Sequence, residues 1–204
     1  PEPEHAPAPP ESPVTYSLDQ CAPRLAAAIA SASLRRGRAR FDRFLEEAVA
    51  VPERLARLEA APAGVLDLFE HSAHFADQLL RYPELLEEIG EPFQLEGGPL
   101  ADGAALRRFY RRQMLRIQCE SMLAREPIFR TLGKTSVLAD SVIAAAYRIA
   151  LTAAPPPGHK GYLPCDQMMV ISLGRLGMRE FDLGSDADVN FVIPDADADE
   201  QVYW

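Results

Sequence analysis

Pro155-Pro156-Pro157-Gly158 divides this chain into two parts that must fold differently. Successive prolines fix φ and lack the amide hydrogen that a helix needs, so no helix can run through them. Upstream, from Leu18 to Leu151, Ala- and Leu-rich runs with charged faces repeat at helical spacing, broken at Pro52, Pro62, Pro83, Pro92 to Pro99 and Pro127. That pattern predicts a bundle of about five to seven helices joined by short turns. Downstream, the apolar run Met168 to Leu173, a glycine-rich turn and a second apolar run ending near Ile193 predict strand, turn, strand, the first strand buried. The expected fold class is mainly α, a helical bundle followed by the start of an α/β domain with an incomplete mixed sheet. The expected boundaries are a disordered Pro-rich tail over 1–16, a helical domain over 17–152, a linker over 153–164 and the beginning of the second domain over 165–204. No internal repeat at solenoid spacing is present.

Composition narrows the function classes. The 204 residues carry a net charge of -9, which argues against nonspecific nucleic-acid binding, because phosphate backbones demand a basic surface. Cys21, Cys119 and Cys165 are an odd, widely spaced set without a Cys-x-x-Cys, so neither a disulfide framework nor a zinc site is indicated. A reducing cytoplasm is the expected compartment. No stretch is expected to reach the length of a membrane span; Ala22 to Ala32 is interrupted by Pro23 and Arg24.

The segment richest in chemistry runs from Gly174-Arg175-Leu176-Gly177 to Gly184-Ser185-Asp186-Ala187-Asp188. Alternate side chains of a strand share a face, so Asp186 and Asp188 are expected to project together from an apolar strand. Two hard oxygen ligands are the complement that Mg²⁺ takes from a protein when waters and substrate phosphates fill the rest of its octahedron. Gly184-Ser185 offers a turn whose backbone can approach a phosphate and a hydroxyl that can donate to it. Arg175 and Arg179 lie in the turn leading to the pair, where a guanidinium suits phosphate.

Other candidates are weaker. His71 and His74 lie three apart on an expected helix, but no third ligand is spaced to join them. Arg107, Arg108, Arg111, Arg112 and Arg116 form a basic stripe that reads first as a solvated helix face pairing with Glu neighbours, and second as a phosphate or acidic-partner contact. Tyr82, Tyr110 and Tyr147 read as core or rim aromatics.

Gly174-Arg175-Leu176-Gly177, then Arg179-Glu180, then Gly184-Ser185-Asp186-Ala187-Asp188 resembles the signature of the glutamine synthetase adenylyltransferases, within the polymerase-β-like nucleotidyltransferase superfamily. Upstream, the stretch from Phe75 through Arg81-Tyr82-Pro83 to Leu86, together with Leu106-Arg107-Arg108-Phe109, Leu115-Arg116-Ile117 and Leu138-Ala139-Asp140, is similar to the helical region that precedes the family's catalytic strand. The likeness covers approximately Val65 to Pro194. This chain departs from the family pattern at Ser172, Arg175, Met178 and Asn190, where the family usually has Gly, Lys, Gly and an apolar residue.

The resemblance implies a nucleotidyltransferase that moves AMP from ATP to a tyrosine of glutamine synthetase, or removes it by phosphorolysis. Asp186 and Asp188 would be the catalytic, Mg²⁺-binding carboxylates, and Gly174, Arg175, Gly184 and Ser185 the nucleotide-binding residues. Glutamine synthetase and a PII-type nitrogen-signalling protein are the implied partners. The superfamily's third carboxylate is expected on a later strand. Asp195, Asp197 and Asp199 lie in an Asp-Ala repeat that reads as a solvated loop, so this stretch alone is expected to be inactive. Two other readings stay open: a nucleotidyltransferase with a different acceptor, and a non-catalytic helical module that docks glutamine synthetase or a regulator.

Overall fold

The computed structural model describes residues 17–95, 98–153 and 168–192. The expected tail over 1–16, nearly all of the linker, Cys165 and the Asp195, Asp197 and Asp199 repeat lie outside these residues.

Among the described residues the chain is mostly helical. The α-helices are α1 (Leu18–Cys21), α2 (Pro23–Ser31), α3 (Arg38–Val49), α4 (Pro52–Ala60), α5 (Pro62–His71), α6 (Ala73–Arg81), α7 (Gly103–Leu123) and α8 (Ile128–Ala153), with a 3-10 helix at Pro83–Glu88. Beyond α8 come β1 (Met169–Ser172), the single turn α9 (Gly174–Gly177) and β2 (Val189–Val192). The prolines read as breaks also start helices: Pro52, Pro62 and Pro83 each open an element, where a missing amide hydrogen costs nothing and φ is already set. Ser72 and Asp102 cap α6 and α7 by accepting the amides of Phe75 and Ala105. Glu59 does the same work at long range, accepting the amides of Arg24 and Leu25 at the start of α2.

The bundle core is continuous from Leu25 and Phe41 through Leu58, Phe69 and Leu79 to Ile117 and Leu138, all fully buried. Phe69 sits between Phe41 and Phe44, with ring centroids 5.4 and 5.3 Å away. A separate small cluster joins Ala139 of α8 to Leu176 and Phe181, with Ile143 and Val189 against it. This second cluster seats the hairpin on the bundle.

Among the described residues the sheet is a two-stranded antiparallel ladder pairing Met169 with Val192 and Ser172 with Val189, and no parallel strand of the expected incomplete mixed sheet lies among them. Two other expectations are overturned. The first strand is not buried: Met169 is 63% and Ile171 41% exposed, because among the described residues α8 meets the ladder at Val189 of β2, and an apolar run does not say what covers it. Finally, α8 is long and apolar enough to cross a membrane by length and composition, contrary to the expectation from sequence. Its 26 residues span about 39 Å at 1.5 Å per residue. In this fold α8 packs along α7, and Lys134 near its start pairs with Glu120 and Glu126.

Candidate functional site

The glycine turn is built around two positions where a side chain is disfavoured, one by backbone conformation and one by crowding. Gly174 has φ +53°, and a Cβ there would meet Asp188 Oδ2 at 3.6 Å, so the carboxylate faces the side of the backbone that carries no side chain. At Gly177 a Cβ would stand 2.5 Å from the Ser172 carbonyl oxygen, an overlap that the end of β1 cannot relieve without moving. The first turn of the motif therefore folds back onto β1 while its opening residue faces Asp188. The Leu173 amide donates to the Asp188 carbonyl at 2.9 Å, which carries the ladder one residue past β2.

Asp186 and Asp188 are not inside a strand as the sequence suggested. They lie on the segment that leads into β2 at Val189, and both are exposed. The structure brings Asp188 to the glycine turn; Asp186 stands two residues earlier on the same segment. Among the described residues no third His, Cys, Asp or Glu gathers with them. A pair of carboxylates fits a hard cation that keeps waters and takes its remaining ligands from a phosphate chain.

The remaining predicted residues converge on an acid that sequence reasoning missed. Asp182 receives the Arg175 guanidinium at 2.6 Å, the Ser185 hydroxyl at 2.7 Å and the Gly184 amide at 3.0 Å. The Ser185 hydroxyl bond holds the Asp182 carboxyl below its ordinary value, with Arg175 and the Gly184 amide adding to it against the opposing effect of burial. Thus Gly184, Arg175 and Ser185 are brought together, but by an Asp that holds them to one another. The expected free hydroxyl of Ser185 has its proton on Asp182. The signal in the sequence was Asp182-x-Gly184, since an Asp side chain readily accepts the backbone amide two residues on.

Arg179, a candidate phosphate ligand, forms an ion pair with Asp140 of α8. Its φ of 63° is one of two non-glycine positive values among the described residues, at a typical cost of about 1–2 kcal/mol. Both partners of that pair are about half exposed, so it contributes on the order of 0–1 kcal/mol and cannot alone fix the turn. The stronger anchor is Ser136, fully buried on α8, whose Oγ accepts the Phe181 amide at 3.2 Å. Its own proton goes to the Leu132 carbonyl at 2.8 Å, so the hydroxyl is used in both directions. Removing that acceptor orphans a buried amide, typically at about 1–3 kcal/mol.

The other candidates are placed plainly. His71 and His74 are exposed, with the His74 ring edge-on to Phe75. The arginine stripe divides: Arg111 stacks over Tyr82 at 4.0 Å, while Arg112 and Arg116 bind Glu88, which is only 3% exposed. Arg107 and Arg108 are exposed near the start of α7. The partner acid is on the 3-10 helix and not on α7 itself, so helical spacing could not reveal it. Tyr82, Tyr110 and Tyr147 are half-buried, as expected of rim aromatics.

The family model for glutamate-ammonia ligase adenylyltransferase matches residues 100–202, half of the chain, and takes in α7, α8 and the whole glycine turn with Asp186 and Asp188. The chain belongs to that family. Relatives named bifunctional glutamine synthetase adenylyltransferase/adenylyl-removing enzyme include one from Pseudomonas aeruginosa, 33% identical over 169 residues, covering 69% of this chain and 17% of the relative. One from Pseudomonas syringae pv. tomato is 29% identical over 70% of this chain and 17% of its own length, and one from Streptomyces avermitilis is 32% identical over 63% and 13%. The chain therefore spans about a sixth of the length of the adenylyltransferases it matches, 17% for the first two. No solved structure matches the chain.

Proposed function

We propose that this stretch forms the opening of a nucleotidyltransferase domain, together with the helical region that carries it, in an enzyme that moves AMP between ATP and a tyrosine of glutamine synthetase. The observation that carries the reading is the seating of Gly174 against Asp188. The backbone that would lie beside a triphosphate and the carboxylate that would hold its metal meet at a position where the chain has no Cβ. Family membership across residues 100–202 supports it, as does the relatives' name. A PII-type regulator and a cytoplasmic setting belong to the same proposal.

Asp186 and Asp188 would hold Mg²⁺, which when bound supplies charge neutralisation along the triphosphate. The chain's own residues do the positioning. Gly174 and Gly184 let the backbone approach the phosphates, and Arg175, oriented by Asp182, brings a guanidinium to the same edge of the turn. Catalysis of this kind draws mainly on placement and electrostatics.

Two of the three carboxylates implied by the resemblance are on the described segment, and the 204-residue chain is expected to be silent in adenylylation by itself. Transfer of label from ATP to glutamine synthetase by this chain would overturn that expectation. The test of the site is Mg²⁺-dependent ATP binding by calorimetry, comparing the chain with Asp186→Asn/Asp188→Asn. Binding that needs the metal and disappears in the double variant is the expected result. Absence of binding in both, with retained capture of glutamine synthetase, would favour the helical docking module instead.

A further inference from the structure

We propose that helix α8 supplies the positioning residues of the nucleotide site: Ser136 and Asp140 hold the segment 179–182 and thereby set Arg175 and the approach to Asp188. The proposal rests on the reading of this site as ATP-binding given above.

Four residues of α8 meet the turn: Ser136, Ala139, Asp140 and Ile143. Their spacing of three, four and seven places them on one face of a helix. A different face of the same helix, through Leu138 and Val142, packs into the bundle core. One rigid element is thus shared between the bundle and the glycine turn.

The path from α8 to the site is short and bonded throughout. Ser136 fixes the Phe181 amide and Asp140 fixes Arg179. Between these two anchors stands Glu180, whose amide donates to the Arg175 carbonyl at 2.8 Å while its carbonyl accepts Arg175 Nε at 3.2 Å. Arg175 is therefore gripped on its main chain and side chain by a residue that α8 pins on both sides. The positive φ of Arg179 points the same way: a side-chain-bearing residue keeps that conformation only where its surroundings over-determine it.

The experiment combines amide exchange of the peptides over 174–188, read by mass spectrometry without nucleotide, with the Kd for Mg²⁺-ATP. Asp140→Asn is expected to speed exchange there and to weaken binding about threefold. Ser136→Ala is expected to weaken it about tenfold. Exchange over 17–95 stays unchanged. The reversal Asp140→Arg/Arg179→Asp restores both readouts to within about twofold, since Asp tolerates the left-handed conformation at position 179. If Ser136→Ala disturbs the bundle peptides as well, the surface pair and its reversal decide the matter. Unchanged exchange over 174–188 in Asp140→Asn, or a reversal that recovers nothing, overturns the proposal. If exchange responds as expected but the parent chain binds no Mg²⁺-ATP, the nucleotide reading falls and the hold of α8 on the turn stands.

Discussion

The Arg175 guanidinium closes on the Asp182 carboxylate at 2.6 Å while the Ser185 hydroxyl donates to the same carboxylate at 2.7 Å. One acid thus organises both Arg175, proposed to meet the nucleotide, and Ser185 of the same turn. Asp182→Ala removes the acceptor of the Gly184 amide as well, and exchange at Gly184 is expected to accelerate about tenfold. Unaltered exchange at that amide would mean that the turn is held by its glycines and α8 alone.

Acid should release the same turn. The Asp182 carboxyl titrates below its ordinary 3.8, chiefly because the Ser185 hydroxyl bonds its charged form. A folded-state value depressed below the unfolded one contributes stability above the unfolded pKa, and that contribution is lost as pH falls through the folded value. The Gly184 and Ser185 amide resonances are therefore expected to move with a midpoint below 3.8. A midpoint at or above 3.8 would contradict the bonding described here.

The helices were legible because their signals are local. Periodic apolar faces mark α2 to α6 in any context, and Pro52, Pro62 and Pro83 mark where one element gives way to the next. The glycine turn was legible for a similar reason, since positive φ at Gly174 and the close approach of Gly177 to Ser172 each favour a residue without a side chain. What the sequence hid was long-range. Glu88 reads as one more acid on a polar turn until Arg112 and Arg116 are seen to arrive from α7. Ser136 and Asp140 read as ordinary polar positions on an apolar helix, because their partners lie 45 and 39 residues away. The strand misjudgement has the same origin: hydrophobicity over Met169 to Ser172 reports a preference for cover, not the presence of it.

The two arginines on Glu88 should differ in worth. Glu88 is 3% exposed, and Arg116 with 15% exposure cannot turn fully to water, whereas Arg112 is 54% exposed. Truncation of Arg116 leaves a buried carboxylate with a partner that solvent screens, and a loss of about 2–3 kcal/mol is expected for Arg116→Met. Arg112→Met should cost about 1 kcal/mol or less. Urea unfolding of the two variants checks the order, and equal losses would contradict it.

Cys119 should be chemically silent in the folded protein. Burial pushes its thiol up to about 11, and the thiolate is the reactive form. Cys21 is exposed. At mild pH a thiol reagent is expected to label Cys21 and to reach Cys119 only on unfolding, with peptide mass spectrometry locating the label. Because the folded thiol ionises later than the unfolded one, whose ordinary value is 9.0, stability should also fall as pH rises from 9.0 toward 11. Replacement of Cys119 by Ala should flatten that decline while costing some packing.

Gly174 and Gly177 separate two kinds of glycine requirement, and alanine at each should show it. At Gly174 the obstacle is φ of +53°, while the nearest side-chain atom, Asp188 Oδ2 at 3.6 Å, is at ordinary contact distance. Left-handed backbone costs alanine about 1–2 kcal/mol. At Gly177 the obstacle is the Ser172 carbonyl oxygen at 2.5 Å, a backbone atom bound into the end of β1, so the strand or the turn must shift. Overpacking of that sort typically costs about 1–3 kcal/mol and displaces what it touches. Gly177→Ala is therefore expected to be the more damaging of the two, and its effect should fall on the hairpin and not on the helical bundle. Exchange over 168–192 relative to 17–95 reads this directly. If Gly174→Ala loosened the hairpin more than Gly177→Ala, backbone conformation rather than the contact with Ser172 would be what shapes the turn.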